Sequence, residues 1–156
     1  MTREARSYRW TKLKNGIGYV AVVNIDVIPN LDGRNEIKEH YGGKGFTSQG
    51  QLEEVPEEGY DLWKAGARAG LEYGFSLDHN YWTVHIKSIA GLSTDTNPTI
   101  VGYTMLRAFL DRINLELDSN RIEELEEFVL LSWLKPNETL IPDFFRLRFV
   151  STDNRR

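Results

Sequence analysis

Three histidines, His40, His79 and His85, are the side chains best suited to moving protons near neutral pH, and the sequence contains no cysteine. Thiol catalysis, disulfides and cysteine metal sites are therefore excluded. The histidines lack the spacing of a His-Glu-x-x-His helix or another close ligand set, so no metal is expected. His85 falls on the polar side of an alternating segment, and His79, in Leu77-Asp-His-Asn80, reads as part of a turn. Glu53-Glu54, Glu57-Glu58 and the acids between 123 and 127 read as helix-start and surface charge rather than as a catalytic carboxylate pair. No catalytic residue and no cofactor is expected.

Two glycine motifs suggest phosphate chemistry and fail on context. Gly16-Ile-Gly-Tyr-Val-Ala21 leads into a strand, whereas a dinucleotide fingerprint joins a strand to a helix. Gly42-Gly-Lys-Gly45 lacks the spacing of a phosphate-binding loop. Two other loops can recognise a partner through lysine, hydroxyl and main-chain groups. They supply the candidate binding residues Lys14, Asn15, Gly16 and Gly18, and Gly91, Ser93, Thr94, Asp95 and Asn97.

The elements that must position these loops follow from periodicity. Tyr8 to Leu13, the turn residues Lys14 to Gly18, and Tyr19 to Ile28 predict a β-hairpin ending at Pro29. Pro29 to Gln51 shows no helical period and predicts an irregular excursion, with a short strand at Lys44-Gly-Phe-Thr47. Pro56-Glu-Glu suits a helix start. Gly66, Gly70 and Gly74 recur every four residues, which predicts one helix face lying very close to a neighbour, with Gly74 as the stop. A strand over Tyr81 to Ile89 and the 91–97 loop follow. A helix then starts at Pro98, capped by Thr96 or Asn97. A further helix begins at Ser119 or Asn120 and is broken at Pro136; a last strand covers Phe144 to Val150. Trp63, Trp82 and Trp133 read as core or interface anchors.

The predicted class is α+β: a two-layer sandwich with a mainly antiparallel sheet and helices on one face. At 156 residues the chain is expected to form a single domain over 1–150, with a frayed polar tail from 151 to 156. Apolar residues are 40% and charged residues 27%, an ordinary globular balance. A net charge of −4 argues against gripping nucleic acid by bulk charge. The first six residues lack the apolar core of a secretory signal, and no apolar run approaches a membrane span. A cytoplasmic protein without a membrane partner is expected.

With the elements placed, Tyr8 to Phe109 resembles the fourth domain of translation elongation factor G and its ribosome-protection relatives. The resemblance rests on Asn24-Ile-Asp-Val-Ile-Pro29, Val55-Pro-Glu-Glu-Gly-Tyr60, Lys64-Ala-Gly-Ala-Arg-Ala-Gly-Leu-Glu-Tyr-Gly74 and Val84-His-Ile-Lys-Ser-Ile-Ala-Gly91. It implies a left-handed β-α-β unit whose loop tips, Lys14 to Gly18 and Gly91 to Asn97, point at the partner. In the family the first tip is basic; here Ile17 occupies a place where a positive residue is common. Thr94 stands near the place of a family histidine. The reading that follows is a non-catalytic module contacting the ribosome, structured RNA or a translation factor. A protein-interaction module of inhibitor or immunity type is the second reading. A small enzyme using His79 or His85 in a cleft is the third.

Overall fold

The computed structural model describes residues 7–134 and 140–151. The expectations for residues 1–6, Pro136 and 152–156 lie outside these. In chain order the elements are β1 (Ser7–Lys14), β2 (Ile17–Pro29), β3 (Glu36–Glu39), β4 (Glu53–Glu54), α1 (Asp61–Phe75) and β5 (Trp82–Gly91). Then come α2 (Pro98–Arg112), α3 (Ser119–Leu131), a 3₁₀ turn (Ser132–Leu134), β6 (Leu140–Asp143) and β7 (Arg148–Ser151). The fold is α+β, as expected.

The main sheet runs β1-β2-β5-β3, with β4 paired to the end of β5. The expected β1–β2 hairpin closes through Asn15 and Gly16, with φ of 53° and 79°. Positive φ at both positions gives the two-residue turn whose twist suits a hairpin. β5 lies antiparallel to β2 and parallel to β3, so β3, α1 and β5 supply the parallel crossover. The register shifts between Asn24 and Ile25, where Ser88 and Ile86 are their partners. Lys87 is left over as a bulge, which turns both Ile86 and Ile89 into the core, each with no exposure.

Along β2, Tyr19, Ala21, Val23 and Ile25 are buried, while Asn24 and Asp26 face the other way. Over the buried face, α2 lies against β2. α3 sits toward β1, where Tyr19 donates to the Leu130 carbonyl at 3.2 Å and Lys12 approaches Glu126 at 3.9 Å. Trp10 packs edge-on against Tyr103, with centroids 5.3 Å apart. α2 is buried on nearly every side, because the β6–β7 hairpin covers it from outside through Phe144.

The glycine-spaced face of α1 meets a helix, and the two helices run in the same direction. Gly66 lies against Pro98, Gly70 against Gly102, and Gly74 against Leu106 and Phe109. A Cβ at Gly70 would overlap the Gly102 carbonyl. Gly74 is therefore a packing residue; the helix continues through Phe75 and ends at Ser76, so it is not the stop.

Several boundaries differ from expectation, and Gly91, expected in the loop, is the last residue of β5, paired with Glu53. α1 begins at Asp61, because Gly59 (φ 92°) and Tyr60 (φ 57°) form a left-handed corner that Pro56 to Glu58 precede. The 30–51 excursion contains β3, which half-buries Ile37 beside β5; Lys44 to Thr47 makes only one bridge, Gly45 to Glu54. The last strand starts at Arg148 and ends at Ser151, so Ser151 belongs to the hairpin and not to the tail. Phe144 to Leu147 turn instead, with Leu147 at φ 52°; Phe144 fills the core and Phe145 is exposed.

The helix contact is open to direct test. Gly70→Ala is expected to lower stability by about 1–3 kcal/mol, the usual cost of overpacking, although alanine is the better helix former. Gly42→Ala, where a Cβ meets nothing within 4 Å, should stay within about 0.5 kcal/mol of the parent. Urea unfolding midpoints measure both, and equal midpoints for the two variants would contradict the packing.

Candidate functional site

The structure brings the two candidate loops together at one end of the sheet. Lys14 closes β1 and is exposed, and Asn15 and Gly16 form the turn beyond it. Gly18 faces the other loop, where a Cβ would strike the Asp95 carboxylate. The Val20 N–H donates to the Asp95 carbonyl at 2.9 Å. Thr96 links Val20 to Leu92: its hydroxyl donates to the Val20 carbonyl at 2.6 Å and accepts from the Leu92 N–H at 2.8 Å. Gly91 is buried because the Thr96 side chain occupies the place of a Cβ.

The remaining loop residues divide by role. Asn97 caps α2, its Oδ1 accepting from the Ile100 N–H at 2.9 Å, and its Nδ2 donates to Ser132 at 2.9 Å. Ser93 and Thr94 are exposed. The Ser93 hydroxyl donates to the Glu53 carboxylate, and the Ser93 N–H donates to the same oxygen at 3.1 Å. Tyr60 donates to the other Glu53 oxygen at 2.6 Å. One carboxylate thus ties the 91–97 loop to β4 and to the start of α1.

Glu53 is a correction to the sequence reading, which placed it among surface and helix-start acids. It is 4% exposed. Burial alone would push its carboxyl up; the Ser93 hydroxyl, the Tyr60 hydroxyl and the Ser93 N–H outweigh that and hold it below the ordinary glutamate range. The Tyr60 phenol is pushed up to about 12 by burial and by its bond to Glu53, so it stays a donor. A signal was present in the sequence: in an extended segment Glu53 shares a face with Val55, which is fully buried.

Beside this latch lies a cavity of about 400 Å³ bordered by Tyr60, Trp63, Ser93, Asn97, Trp133 and Phe149. Aromatic rings share its walls with the polar side chains of Ser93, Thr96, Asn97 and Ser132. The Trp133 indole N–H is buried and has no hydrogen-bond partner among the described residues.

The histidines lie elsewhere. His85 on β5 and His40 after β3 stack with their ring nitrogens 2.9 Å apart. Burial first, then His40 and the neighbouring lysines, push His85 down. His79 is exposed. His79 and His85 border none of the four cavities described, whereas His40, the ring partner of His85, borders one of them together with Glu39 and Glu57. Among the described residues no cluster of three or more histidines and acids could hold a metal ion. No described helix is long and apolar enough to cross a membrane.

Comparison with models of known protein families and with curated proteins finds no match.

The latch has a pH signature. Because the folded carboxyl titrates below its unfolded value of about 4.3, its stabilising effect is complete above that value. It is lost as the pH falls through the lower, folded one. Glu53→Ala leaves three donors, the Tyr60 hydroxyl and the Ser93 hydroxyl and N–H, without their acceptor and should cost about 1–3 kcal/mol at neutral pH. Glu53→Gln should unfold in urea with a shallower acid dependence than the parent. Parallel pH–stability curves for the parent and Glu53→Gln would argue against the latch.

Proposed function

We propose that this chain acts by binding, presenting Lys14 to Gly18 and Gly91 to Asn97 as one surface to the ribosome, a structured RNA or a translation factor. The observation that carries the reading is the joining of the two loops. Asp95 packs on Gly18, Asp95 and Thr96 bond Val20 of β2 just beyond the first loop, and Glu53 braces the second loop from behind. A preordered tip loses little conformational freedom on docking, which favours recognition by shape and main-chain groups. The resemblance to the fourth domain of elongation factor G supports the same surface and the same class of partner.

A second reading is favoured by the apolar part of this end. Leu13 is 77% exposed and Ile17 37% exposed on either side of the turn. Two apolar side chains beside only two lysines, Lys12 and Lys14, suit a protein partner, and the net charge of −4 suits a basic one.

Sucrose-gradient sedimentation with ribosomes at low salt tests the first reading. The chain should travel with a ribosomal fraction, and Lys14→Glu combined with Thr94→Glu should reduce its recovery severalfold without shifting its unfolding midpoint. Absence from every ribosomal fraction, with recovery of a discrete protein partner in a pull-down, would move the assignment to the second reading.

A further inference from the structure

Lys64 lies in the first turns of α1 and is 8% exposed. Its ammonium donates to the Glu57 carbonyl at 2.8 Å and sits 4.8 Å from the centre of the Tyr41 ring. Among the described residues it forms no ion pair with a carboxylate. A buried ammonium is costly unless it is both hydrogen-bonded and paired with an anion. One carbonyl and one ring face leave at least one of its three N–H donors over.

The neighbouring acid is already engaged. Glu39 accepts from Arg68 Nη1 at 2.8 Å and 3.1 Å, and from the Tyr41 hydroxyl at 2.6 Å. The rest of the Arg68 guanidinium makes no hydrogen bond among the described residues. Burial, then the bond to Glu39, push the Tyr41 phenol above its ordinary range, so it remains a neutral donor with its ring under Lys64. These groups, with His40 and Glu57, border an open cavity of about 380 Å³. No residue of this cavity belongs to the two tip loops.

We infer that this cavity is a binding site for a small carboxylate, whose oxygens complete the hydrogen bonding of Lys64 and take up the free donors of Arg68. Two cations supply the attraction, and the fork of Arg68 suits a planar carboxylate. The carboxylates of Glu39 and Glu57 on the same border set the charge limit. They oppose a dianion more than a monoanion, so a carboxylate is accepted in preference to phosphate.

The test is an NMR titration of the whole chain with sodium acetate, inorganic phosphate or sodium chloride at matched ionic strength. Acetate is expected to give saturable shifts gathered on Tyr41, Lys64 and Arg68, and phosphate weaker ones. Lys64→Gln keeps a donor for the Glu57 carbonyl and removes the charge; it should weaken acetate binding at least about tenfold, a difference of about 1.4 kcal/mol. Arg68→Gln is the second variant and should weaken binding in the same direction. Shifts with acetate no larger than those with chloride would overturn the site. Acetate binding unchanged in both variants would place it elsewhere. Tighter binding of phosphate would overturn the choice of carboxylate.

Discussion

Where Gly66 and Gly70 of α1 face α2 there is no space for a side chain. Gly66 and Gly70 on one helix meet the backbone of Pro98 and Gly102 on the other, and Gly102 in turn admits Phe144 from the covering hairpin. Helices that approach this closely in parallel have their N-termini at the same end. That end is also where β5 finishes and β4 pairs with it. The start of α1 brings Tyr60, the start of α2 brings Asn97, and the loop leading into α2 is set against the first residues of β2. The position of the tip is thus a consequence of backbone packing elsewhere.

Burial of charge then separates two regions on either side of the α1 start. Glu53 is buried with three donors around it, so it is stable as a carboxylate and acts as a brace. Lys64, one turn into the helix, is buried with a carbonyl and a ring but no anion. The first arrangement is complete within the chain, whereas the second has donors left over. The physical difference assigns them different roles: the first holds a surface in shape, and the second is suited to receive something.

Much of the architecture was legible in the sequence because its signals were local. Asn15-Gly16 between alternating segments specified the hairpin, and the four-residue glycine spacing specified a close helix face. Asn97 before Pro98 specified a helix start. What was not legible depended on distant partners. β3 is four residues long, and it is a strand because β5 pairs with it. The bulge at Lys87 is visible only in the pairing with β2. α1 starts late because Gly59 and Tyr60 turn left-handed, which a proline followed by acids does not reveal. At the candidate site, turn chemistry in the sequence already marked the two loops that the fold places side by side. Glu53 was misjudged because an acid beside another acid resembles surface charge until its partners, Ser93 and Tyr60, are brought to it.

In the proposed function the Lys14–Gly18 turn and the 91–97 loop form one surface that engages a partner as a unit. Hydrogen–deuterium exchange of the chain, alone and with purified ribosomes, measures this most directly. Amides of 14–18 and 91–97 are expected to gain protection together on addition of ribosomes, while the sheet interior is unchanged. Protection confined to one of the two loops, or appearing only at other surfaces, would contradict it.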